Sequence, residues 1–246
     1  MDRLIYTAMT GAKHIMEQQA NTAHNLANVS TTGFRAQLDA FRAIPVVSEA
    51  MPTRTFVVDS SVGSDFSQGV HHETGRSLDV AVQGKGWIAV QMADGSEAYT
   101  RQGSLKTSEN GVLQTAGGLA VQGDGGPISI PPDVNVSIAS DGTISSTERA
   151  GKPGQANTIG RIKLVNPPES SLVRGDDGLF RLAAGGESDA DPAVRVAGGA
   201  LEGSNVNAVD AMVNMISLGR QFEMHMSLLK NAESNAAKAG QLLNLS

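Results

Sequence analysis

Small and apolar side chains recur in steps of three and four at both ends of the chain, and the steps vanish in between. Near the start the stripe is Ile5, Ala8, Ala12, Ile15, Gln19, Thr22 and Leu26, positions that one face of a helix collects. It predicts an amphipathic helix from about Asp2 to Asn28. Near the end the same spacing links Ala208, Met212, Met215, Gly219, Phe222, Met226, Leu229, Glu233, Ala236, Gly240 and Leu243, predicting a longer helix from about Val209 to Leu245. Both stripes are narrow and rich in small residues and Met, the look of a seam between helices and not of a broad globular face. The first helix runs toward the middle of the chain and the last runs away from it, so a pair made of the two is antiparallel. In that pairing Lys13 is expected close to Glu233, which would explain a carboxylate on the seam.

The middle has another rhythm. Leu78-Asp79-Val80-Ala81-Val82, Trp87-Ile88-Ala89-Val90, Ile128-Ser129-Ile130, Val134-Asn135-Val136-Ser137-Ile138 and Ile162-Lys163-Leu164-Val165 are short, partly alternating apolar runs, which predict strands. Between them stand Asp94-Gly95, Asn110-Gly111, Asp141-Gly142 and Asp177-Gly178, pairs suited to tight hairpin turns. The fold class expected is α+β: antiparallel, coiled-coil-like terminal helices enclosing an extended connector and one antiparallel β barrel or sandwich. The parts are residues 1–30 (first helix), 31–74 (connector, with room for a hairpin), 75–200 (β domain) and 201–246 (last helix).

A helix of about 27 residues is about 40 Å long, and a helix in water draws most of its stability from packing. Two helices meeting on a narrow seam cover only each other, leaving Leu4, Met9, Met16, Leu218, Leu228 and Leu242 on their outer faces. Lateral contact with further copies or relatives is the simplest cover, and Gly11, Gly219 and Gly240 let backbones approach. The competing picture is a helical hairpin folded back on its own β domain.

Composition narrows the function. The 246 residues are 40% hydrophobic and only 4% aromatic, with 28 Gly, a poor match to an enzyme with a ring-lined pocket. A net charge of -6 disfavours phosphate backbones and anionic lipid, so no nucleic acid is expected as a partner. No Cys is present, which removes disulfides and thiolate metal sites. The opening residues lack the basic and apolar regions of a cleaved signal, and no run approaches the roughly 20 apolar residues that span a bilayer.

Two motifs flank the β region. In Asn25-Leu26-Ala27-Asn28-Val29-Ser30-Thr31-Thr32-Gly33-Phe34-Arg35, Asn25 and Asn28 can bond nearby backbone and end a helix, Thr31 and Thr32 favour extended chain, and Gly33 permits a φ closed to other residues. The motif is a helix exit. In Leu201-Glu202-Gly203-Ser204-Asn205-Val206, Ser204 or Asn205 can start the last helix by accepting a bond from a free N–H.

These two motifs, the second continued by Val209, Met212, Ile216 and Arg220-Gln221-Phe222-Glu223, resemble the paired terminal signatures of the flagellar rod, hook and hook-associated protein family. Leu78 to Trp87 and Tyr99-Thr100-Arg101-Gln102-Gly103 are similar to the opening of that family's β domain. The segments Ile5 to Gly11, Phe34 to Leu38 and Phe41-Arg42-Ala43 resemble the proximal-rod branch, and the resemblance covers essentially the whole chain. It implies a structural subunit of the proximal rod of the bacterial flagellar basal body, with a helical domain lining the rod and a β domain outside it. The subunit would assemble axially and transmit torque in motility, in the rod that spans the periplasm. It implies export by the flagellar type III apparatus without signal cleavage. Its partners would be proximal and distal rod subunits and copies of itself, with no cofactor and no catalysis. The residues expected to carry assembly are the seam Ile5, Ala8, Ala12, Ile15, Leu26, Met212, Met215, Gly219, Phe222, Met226, Leu229 and Leu243, and the signature turn Asn25, Asn28, Thr31, Gly33 and Phe34.

Other chemistry finds little footing. The five histidines form no HExxH pair, and His71-His72-Glu73 would put neighbouring side chains on opposite faces of an extended chain. Gly84-Lys85-Gly86 lacks the spacing of a P-loop. Asp141-Gly142 and Asp176-Asp177-Gly178 lack the remaining ligands of a calcium loop. The alternative from another class is a secreted carbohydrate-binding protein or hydrolase, which would need convergent carboxylates over an aromatic floor.

Overall fold

The computed structural model describes residues 2–45, 55–148 and 157–243, and the chain divides into two compact units. One comprises Met1–Val29, Ala36–Asp65 and Val206–Ser246; the other comprises Ser30–Arg35 and Phe66–Asn205.

The first unit is helical with a hairpin. Helix α1 runs Asp2–Ala27 and helix α2 Ala208–Leu243; at 1.5 Å per residue they are about 39 and 54 Å long, and they pack on one another. α1 buries Ala8, Ala12 and Ile15, with Leu26 half-buried, on the face the spacing predicts. α2 buries Ala211 and Ala232 and half-buries Ala208, Met215, Leu218, Phe222, His225 and Leu229. These positions step by three and four as expected, but every second one lies one residue earlier than the sequence stripe placed it. Met212 and Met226 are therefore exposed, and so is Glu233. The sequence stripe favoured large Met at those steps, whereas the fold turns Ala211, His225 and Ala232 inward and leaves room for close helices. The expected pairing of Lys13 with Glu233 gives way to a Lys13–Glu17 contact of 3.5 Å within α1. The side chains of Ile5, Ala236, Gly240 and Leu243 lie outside the described residues.

Within the stretch read as a connector, Gln37–Pro45 pairs antiparallel with Thr55–Ser64. This hairpin belongs to the helical unit. Asn25 fastens it to α1 with two bonds, its Nδ2 donating to Gln37 O at 2.9 Å and its Oδ1 accepting from Gln37 N at 2.8 Å, while Asn21 Nδ2 donates to Asp39 one turn earlier.

The second unit is β throughout. Its largest sheet has nine antiparallel strands, seven of them in the order Leu172–Arg174, Phe180–Leu182, Glu97–Thr100, Trp87–Gln91, Ala120–Gly123, Leu113–Thr115 and Leu105–Thr107. A three-stranded sheet (Val134–Ile138, Thr143–Glu148, Asn157–Arg161) and two ribbons accompany it: Val80–Gln83 with Arg195–Gly198, and His71–Glu73 with Ala200–Glu202. Of the barrel or sandwich expected from the sequence, the barrel is not formed, because the nine-stranded sheet ends in two three-residue strands that do not pair with each other. Strand Trp87–Gln91 is apolar on both faces. Ile88 and Val90 enter the main core with Val80, Leu105 and Ile162, while Trp87 and Ala89 enter a second cluster with Tyr99 and Phe180, so the alternation of strand side chains feeds two cores.

Ile128-Ser129-Ile130, expected as a strand, makes one isolated bridge from Ser129 to Val112. Its backbone bonds different neighbours in turn, Ile128 N to Val121 O and Ile130 N to Gly111 O, so no ladder grows. All four Xaa-Gly pairs form turns with the Gly at positive φ. In three the Asp caps its own turn: Asp94, Asp141 and Asp177 accept the backbone N–H two residues on, at 2.9, 3.0 and 3.1 Å.

These bonds favour the ionised form. The Ser96 hydroxyl and N–H hold the Asp94 carboxyl below its usual value, as the Thr143 N–H and hydroxyl do for Asp141. A depressed folded pKa means that the contribution is complete above the unfolded value and is lost as pH falls through the folded one. NMR titration of the two carboxyls is expected to show midpoints below 3.8, and midpoints at or above that would contradict the capped turns.

Candidate assembly site: the helix seam and the signature turn

The signature residues of the helical unit act at the end of α1. Asn28 Nδ2 donates to His24 O at 2.9 Å, the same carbonyl that accepts the Asn28 backbone N–H at 3.2 Å, and Asn25 is the double clamp on Gln37. At α2 the cap is Asn207, whose Oδ1 accepts from Val209 N at 3.0 Å. Neither Ser204 nor Asn205 takes that role. Asn205 instead donates from Nδ2 to Ser67 O at 3.1 Å, because helix α2 begins three residues beyond it.

The signature residues of the β unit form one buried assembly. Thr31 O accepts from Phe34 N at 3.3 Å, and Gly33 N donates to Glu202 O at 2.8 Å. Gly33 has φ +69°, and a Cβ there would lie 2.3 Å from Arg101 C and 2.5 Å from Arg101 O, so backbone meets backbone where a side chain would stand. Phe34 is buried beneath the Arg174 guanidinium, 4.6 Å from its ring centroid, and Arg174 Nη1 donates to Arg35 O at 2.7 Å. Burial pulls the Arg174 guanidinium below its ordinary value.

At the centre lie three charges with no exposed atoms to speak of. Glu202 is 0% exposed and Arg35 1%. Glu202 Oε1 is 2.7 Å from Arg35 Nη2, and its Oε2 is 2.9 Å from Arg101 Nη1. Backbone supplies further partners: Gly69 N donates to Glu202 Oε1 at 3.1 Å, Arg35 Nη1 to Ser67 O at 2.5 Å, and Arg101 Nη2 to Gly84 O at 2.7 Å, while the buried Nε atoms of Arg35 and Arg101 have no hydrogen-bond partner among the described residues. Arg101 also lies 5.3 Å from the Trp87 ring centroid. Burial draws the Arg101 guanidinium below its ordinary value, opposed by the attraction of Glu202 and assisted by the repulsion of Arg35.

The sequence reading held all three residues inside its motifs without assigning them a role. The available signal was that each motif carries one charge among residues that are otherwise small or apolar. The neighbouring motif residues serve the same junction: Gly103 packs where a Cβ would meet Val80 O at 1.5 Å, and the Tyr99 hydroxyl accepts from Ser188 N at 2.9 Å, its pKa pushed up to about 12 by burial.

A cleft of about 320 Å³ beside Trp87 is lined by Phe66 and Arg101 and holds one carboxylate, Glu169, which Lys85 pairs at 2.9 Å. It lacks the two convergent acids that the hydrolase alternative requires. Among the described residues no group of three or more His, Cys, Asp or Glu is placed to hold a metal, and no helix is long and apolar enough to cross a membrane.

In the helical unit, large apolar side chains face outward. Tyr6, Met9 and Met16 on α1, and Val209, Met212, Val213, Ile216, Met224, Met226 and Leu228 on α2, are each about half exposed or more.

The sequence is similar to those of known proteins. Residues 81–146 match a family profile described as the flagellar hook protein FlgE/F/G D1 domain, and residues 197–242 one described as the flagellar basal body rod FlgEFG protein C-terminal. The chain is 50% identical to the flagellar basal-body rod protein FlgF of Escherichia coli K12 and 46% identical to that of Salmonella typhimurium LT2, each over the full length of both chains. It is 31% identical to the flagellar basal-body rod protein FlgG of Buchnera aphidicola subsp. Schizaphis graminum, over 89% of this chain and 92% of the relative.

Proposed function

The chain belongs to the FlgF family of flagellar basal-body rod proteins and is a structural subunit of the flagellar basal body, and from that premise we propose that it stacks in the proximal rod through the outer faces of α1 and α2. The observation that carries this reading is the apolar surface left on both helices, from Tyr6, Met9 and Met16 to Val209, Val213 and Ile216. Copies of the chain and neighbouring rod subunits cover it, so the helices gain their lasting stability in the assembled rod and torque passes along them.

The two helices form an antiparallel, coiled-coil-like pair. In support, His225 Cε1 lies 2.6 Å from where a Cβ on Gly11 would be; Gly11 stands 16 residues before Ala27, and His225 stands 17 after Ala208. Equal distances from the inner ends are what antiparallel pairing requires. The seam then consists of Ala8, Gly11, Ala12, Ile15 and Leu26 against Ala211, Met215, Leu218, Phe222, His225, Leu229 and Ala232. The chain reaches its periplasm-spanning place through the flagellar type III apparatus without cleavage of a signal.

Phe222→Asp tests the seam. A carboxylate placed on the seam face of α2 resists burial, so the variant is expected to be missing from purified basal bodies and to leave cells non-motile on soft agar. Trp87, the single tryptophan, would keep its native fluorescence in the β unit. Incorporation at the wild-type level would overturn the proposal.

A further inference from the structure

The three-stranded and nine-stranded sheets of the β unit are bridged between Gly123 and Ile162, but two of their other strands leave outward backbone groups near one another. In the ladder of Val134–Ile138 with Thr143–Glu148, Ala139 N donates to Thr143 O at 2.9 Å, which fixes the phase: the backbone groups of Asn135 and Ser137 face the partner strand, and those of Val134 and Val136 face away. In the ladder of Leu105–Thr107 with Leu113–Thr115, Ser108 N donates to Val112 O at 2.8 Å, so Thr107 likewise turns its N–H and C=O outward. Among the described residues no hydrogen bond reaches these outward groups.

Between the two edges lies an open cleft of about 750 Å³, lined by Thr107, Glu109, Ile130 and residues Val134 to Val136. Its far wall is firm, since Ile130 N donates to Gly111 O at 2.7 Å. Outward groups on alternate residues recur about every 6.8 Å along a strand, the repeat that an incoming extended chain presents. The lining is apolar or neutral apart from Glu109, its one charged residue.

We propose that this cleft is a strand acceptor: an extended segment of a neighbouring polypeptide, apolar or neutral except for one basic residue set against Glu109, pairs backbone to backbone with Val134–Val136 and Thr107. An exposed sheet edge is a template for such pairing; on the facing strand the outer side of Leu105 is already taken, its N–H donating to Leu78 O at 3.3 Å, so the edge of Val134–Val136 is the main acceptor and Thr107 adds one further pair. The basic residue follows from the lone carboxylate, and a second acid in the segment would be repelled by it. The inference rests on the chain being built into a rod, and it assigns the β unit a contact separate from the helices.

Amide hydrogen exchange tests it, measured on the full chain free in solution and again in purified basal bodies. In the free chain the amides of Val136 and Thr107 are expected to exchange at least about tenfold faster than those of Asn135 and Ser137; in basal bodies they should slow by about a hundredfold or more. Val136→Pro removes the outward N–H without touching the ladder, and in cells that also make wild-type chain it should enter basal bodies about tenfold less often, whereas Val136→Thr, which keeps the N–H, should enter normally. Unchanged Trp87 fluorescence and melting temperature would show the proline variant folded; if it is not, the wild-type exchange decides alone. A wild-type chain present in basal bodies with both amides still open would overturn the strand acceptor and leave the rod assignment intact, and so would parity of the folded Val136→Pro variant with wild type.

Discussion

Replacing Glu202 by Ala is expected to lower the unfolding free energy of the β unit by about 3–5 kcal/mol, the usual cost of breaking a buried ion pair from one side. Among the described residues Glu202 is the only acid paired with Arg35 and Arg101, and its removal leaves two guanidinium groups buried together without a counterion. Urea unfolding followed by Trp87 fluorescence measures this directly, because Trp87 packs in the β unit with Phe180 at 4.5 Å between ring centroids. With a slope of about 2 kcal/mol per molar urea, the midpoint should fall by roughly 2 M. Glu202→Gln, which keeps shape and one acceptor but no charge, should fall between Ala and wild type. A loss below about 1 kcal/mol for Glu202→Ala would mean that the two arginines find other partners and that the triad does not hold the junction.

Gly33→Ala is expected to be nearly as damaging and for a different reason. The left-handed conformation costs a residue with a Cβ about 1–2 kcal/mol, and here the added methyl also meets the Arg101 peptide at 2.3 Å. That peptide has little freedom to retreat, because the Arg101 side chain is pinned to Glu202 and Gly84. The variant should lose more than about 2 kcal/mol in the same urea assay and abolish swimming. Asn tolerates the left-handed conformation better than Ala but brings the same Cβ, so Gly33→Asn separates the two causes. If the clash dominates, Asn does no better than Ala; recovery of most of the stability by Asn would show that φ alone is what the position demands.

How far the sequence foretold this structure depends on the scale of the feature. Periodicity located both helices within a residue or two at most ends, since a three-four stripe depends only on the local geometry of one helix. It misplaced alternate steps of the α2 stripe, because Met212 and Ala211 are equally compatible with a stripe and only the closeness of the facing helix selects the smaller. The Asp-Gly and Asn-Gly turns were legible for the same local reason. The barrel was not, since closure depends on whether two distant edges meet. In the signature turn, Gly33 was readable as a special φ, whereas the role of Arg35 was hidden: its partner Glu202 arrives from the other end of the chain, and no spacing rule connects them. Of the outer-face residues expected from the spacing, Met9, Met16 and Leu228 are exposed, Leu218 is half-buried, and the side chains of Leu4 and Leu242 lie outside the described residues.

The arginine–glutamate cluster also sets a timetable. Glu202 reaches back 101 residues to Arg101 and 133 to Gly69, so a chain emerging from its N-terminus cannot finish the core of the β unit until almost all of it is available. Until then Arg35 and Arg101 are like charges without their counterion, and contacts this remote in sequence form slowly. A chain built in this way delays its own completion, because the last contact of its β core must wait for the tail to be made.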